Sequence, residues 1–480
     1  EEVDIGITSE EVSHESSRCL TCGCKTLYDC DLKDFSTEVG AVQRAYRGRF
    51  KKHKVDARHP YIVLDPNKCI LCGRCIRYCG DLIGIFALGF VNRGFETIMK
   101  PAMEKPLAET TCIACGNCIE VCPTGAIEFN SEYKNPGAFR TFPHRSICSD
   151  CGVGCEIDIN AFDKDIFYIT AKPYDAYTEG ELCKKGRFES TYLRKNRIVS
   201  SSEDGKGIVS LDNACQSIVK NLNEIKKTRG KDSILFLVSP KATNEEIFLF
   251  SSLAEIFGSF LITSAKDLLN EGFPDVSDMI GLNLSTLKQE DISHADVIIN
   301  IGTGITTHSP VFGFKVKGAV RNDARFIQIG TLDRELKRYA SMIIDCGDGK
   351  EGEILNAIAG TLSRDKRFDF RSAEKITGFH EFLGKIKNID FPEFRSQISE
   401  TVGLLLDSEK KVAVIFNAFE TKQGSFDSVK SAVNLLLLTN RINSPSQGII
   451  VNQDSCNTQG YRDVVFSRFT SKENLMKTNK

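Results

Sequence analysis

The chain has 480 residues, 41% of them hydrophobic and 26% charged, and its 62 basic and 64 acidic residues leave a net charge of −2. This length exceeds one ordinary core and predicts three or four globular domains. The near-zero charge gives no footing for nucleic acid or an anionic membrane surface. No apolar run approaches the ~20 residues that span a bilayer, Leu82–Val91 and Asn434–Leu438 being the longest, and no signal-peptide pattern is seen.

Sixteen of the 19 cysteines fall between Cys19 and Cys183, in four groups of four. Residues 1–64 carry Cys19, Cys22, Cys24 and Cys30, then a basic stretch from Arg44 to Arg58. Residues 65–142 carry two runs of the form C-x2-C-x2-C-x3-C. The first is Cys69, Cys72, Cys75 and Cys79, and the second is Cys112, Cys115, Cys118 and Cys122, closed by Pro123. Residues 143–200 carry Cys148, Cys151, Cys155 and Cys183, after a turn at Lys134-Asn-Pro-Gly137.

Thiolates are soft ligands suited to iron–sulfur clusters, and each cluster takes four. The double run is the one that holds paired [4Fe–4S] clusters, the fourth cysteine of each run serving the other cluster. Crossed ligation assigns Cys69, Cys72, Cys75 and Cys122 to one cluster, and Cys112, Cys115, Cys118 and Cys79 to the second. Such short spacings wrap backbone N–H groups around the sulfides and tune the potential. Disulfides are one alternative for so many cysteines. The C-x2-C clustering in a chain of this size argues instead for reduced thiols and a reducing cytoplasm. Lone zinc ions are a second alternative, which would make the chain a stapled scaffold without redox function. The triple run ending in C-x3-C-P is far more specific for clusters.

Past Cys183 only Cys215, Cys346 and Cys456 remain. Residues 201–480 alternate apolar strands with amphipathic helices. Strands are predicted at Ser233–Val238, Asp296–Ile301, Arg325–Ile329 and Lys411–Phe416, and helices at Thr243–Phe257 and Asp427–Thr439. This alternation predicts a mostly parallel sheet with helices on both faces. Cys215 reads as a small buried hydrophobe on a helix. The turn Ile301-Gly-Thr-Gly304 is a weak phosphate cradle. The polar tail Phe466–Lys480 is expected to be loose.

Several motifs resemble known families. Cys148-Ser-Asp-Cys151-Gly-Val-Gly-Cys155 with Cys183-Lys-Lys185-Gly-Arg-Phe188 resembles the N-terminal cluster domain of molybdopterin oxidoreductases, formate dehydrogenases above all. The same module occurs in the large iron–sulfur subunit of bacterial NADH:quinone oxidoreductase. The resemblance implies that Lys185 lies between cluster and pterin; without a pterin, Lys185 is a surface lysine. Lys68-Cys-Ile-Leu-Cys-Gly-Arg-Cys75 and Cys122-Pro-Thr-Gly125 resemble the same two families. Cys19-Leu-Thr-Cys22-Gly-Cys24 and Cys30 occupy the place of a cluster segment with one histidine and three cysteines. His14 is no clean match for that histidine, so an all-cysteine site is expected, with [2Fe–2S] or zinc as alternatives. The opening Glu1-Glu-Val-Asp-Ile-Gly6 through Cys24 is similar to the segment that follows the flavin module of glutamate-synthase-small-subunit-type flavoproteins. With no initial Met, this implies an upstream flavin module.

The fold expected is therefore α+β ferredoxin-like iron–sulfur modules followed by an α/β molybdopterin-oxidoreductase-like domain with a mostly parallel sheet. Ser239–Glu246, Ile301–Gly304 with His308-Ser-Pro310, and Asn434–Asn440 through Cys456–Gly460 resemble segments of the formate dehydrogenase body. Two departures count against that activity. Phe260–Gly281 contains no cysteine where the family binds molybdenum, and Cys456 replaces one asparagine of a late motif. No catalytic residue is therefore assigned, molybdopterin is not expected, and His308 reads as a turn or packing residue. The resemblance implies an electron-transfer subunit with four [4Fe–4S] clusters in an NAD(P)H-linked complex of bifurcating or transhydrogenase type. FAD or FMN would sit in a partner flavoprotein or upstream module, and a ferredoxin or another redox subunit would be the second partner. The alternative is a formate dehydrogenase fragment.

Overall fold

A computed structural model describes residues 8–17, 30–42, 45, 48–49, 52–130, 141–163, 165–171, 178–189, 198–205, 207–259, 262–263, 276–280, 285–347, 349–369, 371–418, 425–442 and 444–469. Cys19, Cys22, Cys24, the Lys134–Gly137 turn and most of Phe260–Gly281 lie outside these residues. The chain divides into two compact units. The first comprises Glu1–Ser146, Glu156–Asp175 and Glu179–Thr191, and the second Ile147–Cys155, Ala176–Thr178 and Tyr192–Lys480.

In the first unit, helix α1 (Asp31–Glu38) starts directly after Cys30. Strand β1 (Ile62–Leu64) pairs antiparallel with β4 (Ile127–Phe129), placing Ile62 opposite Phe129 and Leu64 opposite Ile127. Between them lie helix α2 (Arg74–Arg77), the hairpin of β2 (Gly89–Val91) with β3 (Ile98–Lys100), and helix α3 (Asn117–Glu120). Each cysteine run thus feeds one short helix, and the two helices pack on each other. Ile62, Leu64, Met99, Leu107 and Ile127 form a small core beneath the sulfurs. A three-stranded sheet follows, β5 (Phe142–Ile147), β6 (Glu156–Phe162) and β7 (Asp165–Ala171), in that order.

In the second unit, helix α4 (Leu211–Arg229) buries none of its residues. Cys215 lies on it and is exposed, which corrects its reading as a buried hydrophobe. The predicted strand Ser233–Val238 shrinks to β8 (Phe236–Leu237), paired in parallel with β9 (Ile262–Thr263). Helix α5 (Asn244–Phe257) opens on a capping box. The Thr243 hydroxyl accepts the Glu246 N–H at 3.2 Å while the Glu246 carboxylate accepts the Thr243 N–H at 2.8 Å.

The main sheet holds β10 (Val297–Ile301), β11 (Arg325–Ile329), β12 (Met342–Ile344), β13 (Val412–Asn417) and β14 (Gly448–Asn452), all parallel. Its spatial order is β12-β11-β10-β13-β14. This is a doubly wound arrangement whose strand order reverses between β10 and β13. One face (Ile299, Ile301, Ile327, Ile329, Val414) packs on α7 (Glu351–Arg364), α8 (Arg395–Leu406) and α9 (Ser425–Leu438). The alternate residues Ile298 and Phe326 are also fully buried, and α6 (Pro310–Arg321) packs against β11. Burial on both faces explains why these strands read as continuous apolar runs. The last helix, α10, spans Thr458–Phe469, so the tail expected to be loose from Phe466 is helical for four more residues. Among the described residues, no helix is long and apolar enough to cross a membrane.

Candidate metal centres

The two cysteine runs adopt one local conformation twice. Leu71 and Ala114, each second after the leading cysteine, have φ of 56° and 55°, and Gly73 and Gly116 have φ of 73° and 74°. These left-handed residues curl each loop so that backbone amides face sulfur. The Leu71 N–H donates to Cys69 Sγ and the Ala114 N–H to Cys112 Sγ, both at 3.4 Å. A third such bond runs from the Ala87 N–H to Cys79 Sγ at 3.4 Å.

The fourth cysteine of each run crosses to the other loop. One cavity is lined by Cys69, Cys72, Cys75 and Cys122, with Phe90, Met99 and Pro123. A second is lined by Cys79, Cys112, Cys115 and Cys118, with Tyr78, Leu107 and Asn117. Burial, then the Cys122, Cys69 and Cys72 sulfurs, push the Cys75 thiol up to about 12. Burial likewise pushes Cys115 up to about 12 and raises Cys112 and Cys118, with Cys79 among the neighbours that add to each. Four bare thiolates would repel one another in such a pocket, whereas a metal core deprotonates its thiols outright. The donor chemistry therefore fits an iron–sulfur cluster in each cavity. Asn117 adds to the fit: it is 1% exposed, lines the second cavity, and its Nδ2 has no hydrogen-bond acceptor. Among the described residues, no group of three His, Cys, Asp or Glu side chains is placed to hold a lone metal ion.

Residues that spacing alone did not single out surround the second cavity. Arg187, of the Cys183-x-Lys-Gly-Arg-Phe motif, has a fully buried side chain paired with Glu120. Its Nε donates to the Cys115 carbonyl and its Nη2 to Asn117 Oδ1, both at 2.9 Å. Phe188 stacks on Tyr61 at 4.7 Å and meets Phe129 edge-on at 5.8 Å. The motif thereby clamps the ferredoxin-like module. His59, 4% exposed, accepts the Tyr61 and Ile62 N–H groups at Nδ1, each at 3.1 Å, and its Nε2 lies 3.9 Å from Cys112 Sγ. Burial, then the Lys184 ammonium, hold its pKa below the ordinary value.

The other predicted sites are more dispersed. Cys30 Sγ lies 3.9 Å from the Pro123 carbonyl, and the Leu32 N–H donates to the same oxygen at 3.3 Å. The one described member of the first quartet is therefore a neighbour of the first cavity. Cys148, Cys151 and Cys155 share a loop of the second unit, where the Cys148 N–H donates to the Cys155 carbonyl at 2.8 Å. Gly152 is pinned there by its N–H to the Gln453 carbonyl at 2.7 Å, and a Cβ at Gly152 would lie 2.8 Å from that oxygen. Cys183 belongs to the first unit and is half-buried, and Lys185 is exposed.

At the switch point of the main sheet, the Gly302–Gly304 turn holds a carboxylate of its own. Asp333 accepts the Gly304 and Thr306 N–H groups, each at 2.9 Å, and the hydroxyls of Thr303 and Thr306. These amides are taken, so the turn does not cradle a phosphate. Beside it runs a buried row of amides. Asn452 Nδ2 donates to Asn417 Oδ1 (3.0 Å), Asn417 Nδ2 to Asn300 Oδ1 (2.9 Å), Asn300 Nδ2 to Gln328 Oε1 (2.8 Å) and Gln328 Nε2 to the Gly302 carbonyl (2.8 Å). His308 closes a short helical turn, Ile305–His308, just before α6.

Four family models match the chain. That of molybdopterin oxidoreductase covers residues 208–479 and that of the molybdopterin oxidoreductase Fe4S4 domain residues 143–209. The ferredoxin-like domain of NADH-quinone oxidoreductase subunit 3 covers residues 59–128, and a 4Fe–4S dicluster domain residues 111–157. The NADPH-Fe(3+) oxidoreductase subunit alpha of Geobacter sulfurreducens is 26% identical over 92% of this chain and 53% of its own length. A subunit of the NADH-quinone oxidoreductase of Rhizobium meliloti is 26% identical over 70% of this chain and 39% of its own. A putative formate dehydrogenase of Staphylococcus haemolyticus is 22% identical over 91% and 50%. The chain thus spans about half the length, or less, of these curated relatives. Among solved structures, acetylene hydratase from Pelobacter acetylenicus shares the fold, with a TM-score of 0.52 at 14% identity over 62% of this chain and 43% of that one.

Proposed function

The chain belongs to the molybdopterin oxidoreductase family and carries 4Fe–4S domains ahead of that family's α/β domain, and from this premise we propose that it is the electron-transfer part of an NAD(P)H-linked oxidoreductase. Single electrons pass through four [4Fe–4S] clusters between a flavin, in a partner or on a longer polypeptide, and a second redox partner. A flavin is the group that splits a hydride into single electrons. The observation that carries the reading is the crossed grouping of eight cysteines around two cavities.

The ligand sets follow that grouping: Cys69, Cys72, Cys75 and Cys122 for one cluster, Cys79, Cys112, Cys115 and Cys118 for the next. Cys148, Cys151, Cys155 and Cys183 hold a third, and Cys19, Cys22, Cys24 and Cys30 the N-terminal one. Contacts within the first unit support an order of transfer. Cys30 touches the Pro123 loop that lines the first cavity, helix α2 at the first cavity packs on helix α3 at the second, and Arg187 ties the Cys183 segment to the second cavity. The names of the Geobacter and Rhizobium relatives, both oxidoreductase subunits of NADPH or NADH complexes, support the nicotinamide link.

A molybdopterin enzyme is the second reading, favoured by the match over residues 208–479. The donors present do not complete a molybdenum site: Phe260–Gly281 has no cysteine, and Asp333 holds the amides of the Gly302–Gly304 turn. We therefore read the α/β half as a scaffold and docking body, with Lys185 a surface residue. Anaerobic purification of the native complex tests both readings. About sixteen iron and sixteen acid-labile sulfide per chain, with flavin in the complex and no molybdenum, is the expected result. Stoichiometric molybdenum with pterin supports the second reading, and zinc without sulfide refutes both.

A further inference from the structure

The two cluster loops repeat one another in backbone but not in surroundings. The first run reads Cys69-Ile-Leu-Cys72-Gly-Arg74-Cys75 and the second Cys112-Ile-Ala-Cys115-Gly-Asn117-Cys118. The matching amide donors, from Leu71 and Ala114, are equal in length. The matching side chains are not equal. Arg74 is more than half exposed, whereas Asn117 is buried against the second cavity with a spare N–H. Around the first cavity, the Thr124 hydroxyl lies 3.7 Å from Cys122 Sγ, but that hydroxyl donates to the Lys68 carbonyl at 3.0 Å.

His59 adds a second inequality. Its Nδ1 accepts two backbone N–H groups, so the ring proton resides on Nε2, the nitrogen 3.9 Å from Cys112 Sγ. The imidazole therefore donates toward a cluster thiolate, and its orientation is set by the backbone of Tyr61 and Ile62. Hydrogen bonds to ligand sulfur stabilise the more negative, reduced cluster and raise its potential.

We propose that His59 is a positioning residue for the second cluster site, donating Nε2–H to Cys112 Sγ so that the Cys79/Cys112/Cys115/Cys118 centre is the higher-potential member of the pair and the resting place of a single electron shared between them. The inference rests on the cluster assignment above and adds to it a direction: electrons arriving from the N-terminal side fall toward the Cys183 side.

The test is an EPR-monitored redox titration of the full chain, preceded by iron and sulfide analysis. Absence of clusters refutes the functional reading itself, and the inference with it. With clusters present, His59→Phe keeps a flat ring without the N–H and is expected to lower only the higher midpoint. The expected size is about tenfold in the reduced-to-oxidised ratio at fixed potential, or 59 mV for one electron. His59→Gln returns an N–H near the Nε2 position and is expected to restore most of that shift, which a packing role would not do. An unmoved higher midpoint, a shift in the lower one, or equal shifts in both variants would overturn the proposal. Should the Phe variant not fold, wild-type protein labelled with 15N-histidine decides. Pulsed EPR of the singly reduced state is expected to show a weak 15N coupling on the higher-potential centre, and its absence refutes the bond.

Discussion

Replacing Arg187 with Met removes a fully buried guanidinium that makes three hydrogen bonds, while keeping most of its bulk. The guanidinium is fully buried, pairs with Glu120, and donates to the Cys115 carbonyl and to Asn117 Oδ1. Removing one partner of a buried, hydrogen-bonded ion pair costs about 3–5 kcal/mol. Two features reduce that here. Glu120 is one quarter exposed and also accepts the Ala171 N–H at 3.2 Å, and Asn117 Oδ1 keeps the Leu182 N–H at 3.1 Å. Among the described residues no other side chain donates to the Cys115 carbonyl, so a loss of about 2–4 kcal/mol is expected. Anaerobic urea unfolding followed at the cluster absorbance reads the first unit directly. Arg187→Lys should lose most of the same energy, because one ammonium cannot meet three divergent acceptors. The double variant Glu120→Gln/Arg187→Met should fall short of additivity by about 1 kcal/mol. A Met variant within about 0.5 kcal/mol of wild type would refute the claim that this arginine holds the Cys183 segment to the second cavity.

Three further outcomes follow from the geometry. Cys122→Ser should abolish the EPR signal of the centre bearing Cys69, Cys72 and Cys75 and spare the one bearing Cys112, and the opposite loss would show that ligation does not cross. Gly116→Ala should be far worse than Gly73→Ala. Both incur about 1–2 kcal/mol of left-handed strain, but the new methyl at 116 would run into the buried stem of Arg187, whereas at 73 it would meet only the tip of the exposed Arg77 side chain, at 2.8 Å; cluster content after purification reads the difference. Asn300→Ala should cost about 2 kcal/mol in the unfolding of the second unit, since it strands the Gln328 side-chain oxygen inside the sheet and leaves Asn417 Nδ2 only the Ile301 carbonyl.

What the sequence made legible is what local chemistry dictates. Cluster ligands must sit at short fixed spacings, so the two ferredoxin-like runs could be read. Strands buried on both faces leave unbroken apolar runs, so Arg325–Ile329 was placed to the residue and Val297–Ile301 to within one. Long-range partners left no such trace. Arg187 meets Cys115 from 72 positions away and His59 meets Cys112 from 53, and nothing in either local pattern marks the pairing. The helix carrying Cys215 has a mixed pattern that buries none of its residues, so side-chain type misled there. Asn300, Gln328, Asn417 and Asn452 each look like an ordinary polar residue near a strand end, and only the sheet order lines them up.

That row of amides also acts as a ruler. Every member points its N–H the same way, from Asn452 through Asn417 and Asn300 to Gln328 and the Gly302 carbonyl. A slide of any one strand by a single residue would swing its amide to the opposite side of the sheet. Its links in the row would then break, leaving buried amide groups short of a partner. Apolar strands made largely of isoleucine and valine could slip past each other with little penalty, and the four amides remove that freedom. The same polarity means that no single amide can turn over alone, so the strands on either side of the switch point are set together or not at all.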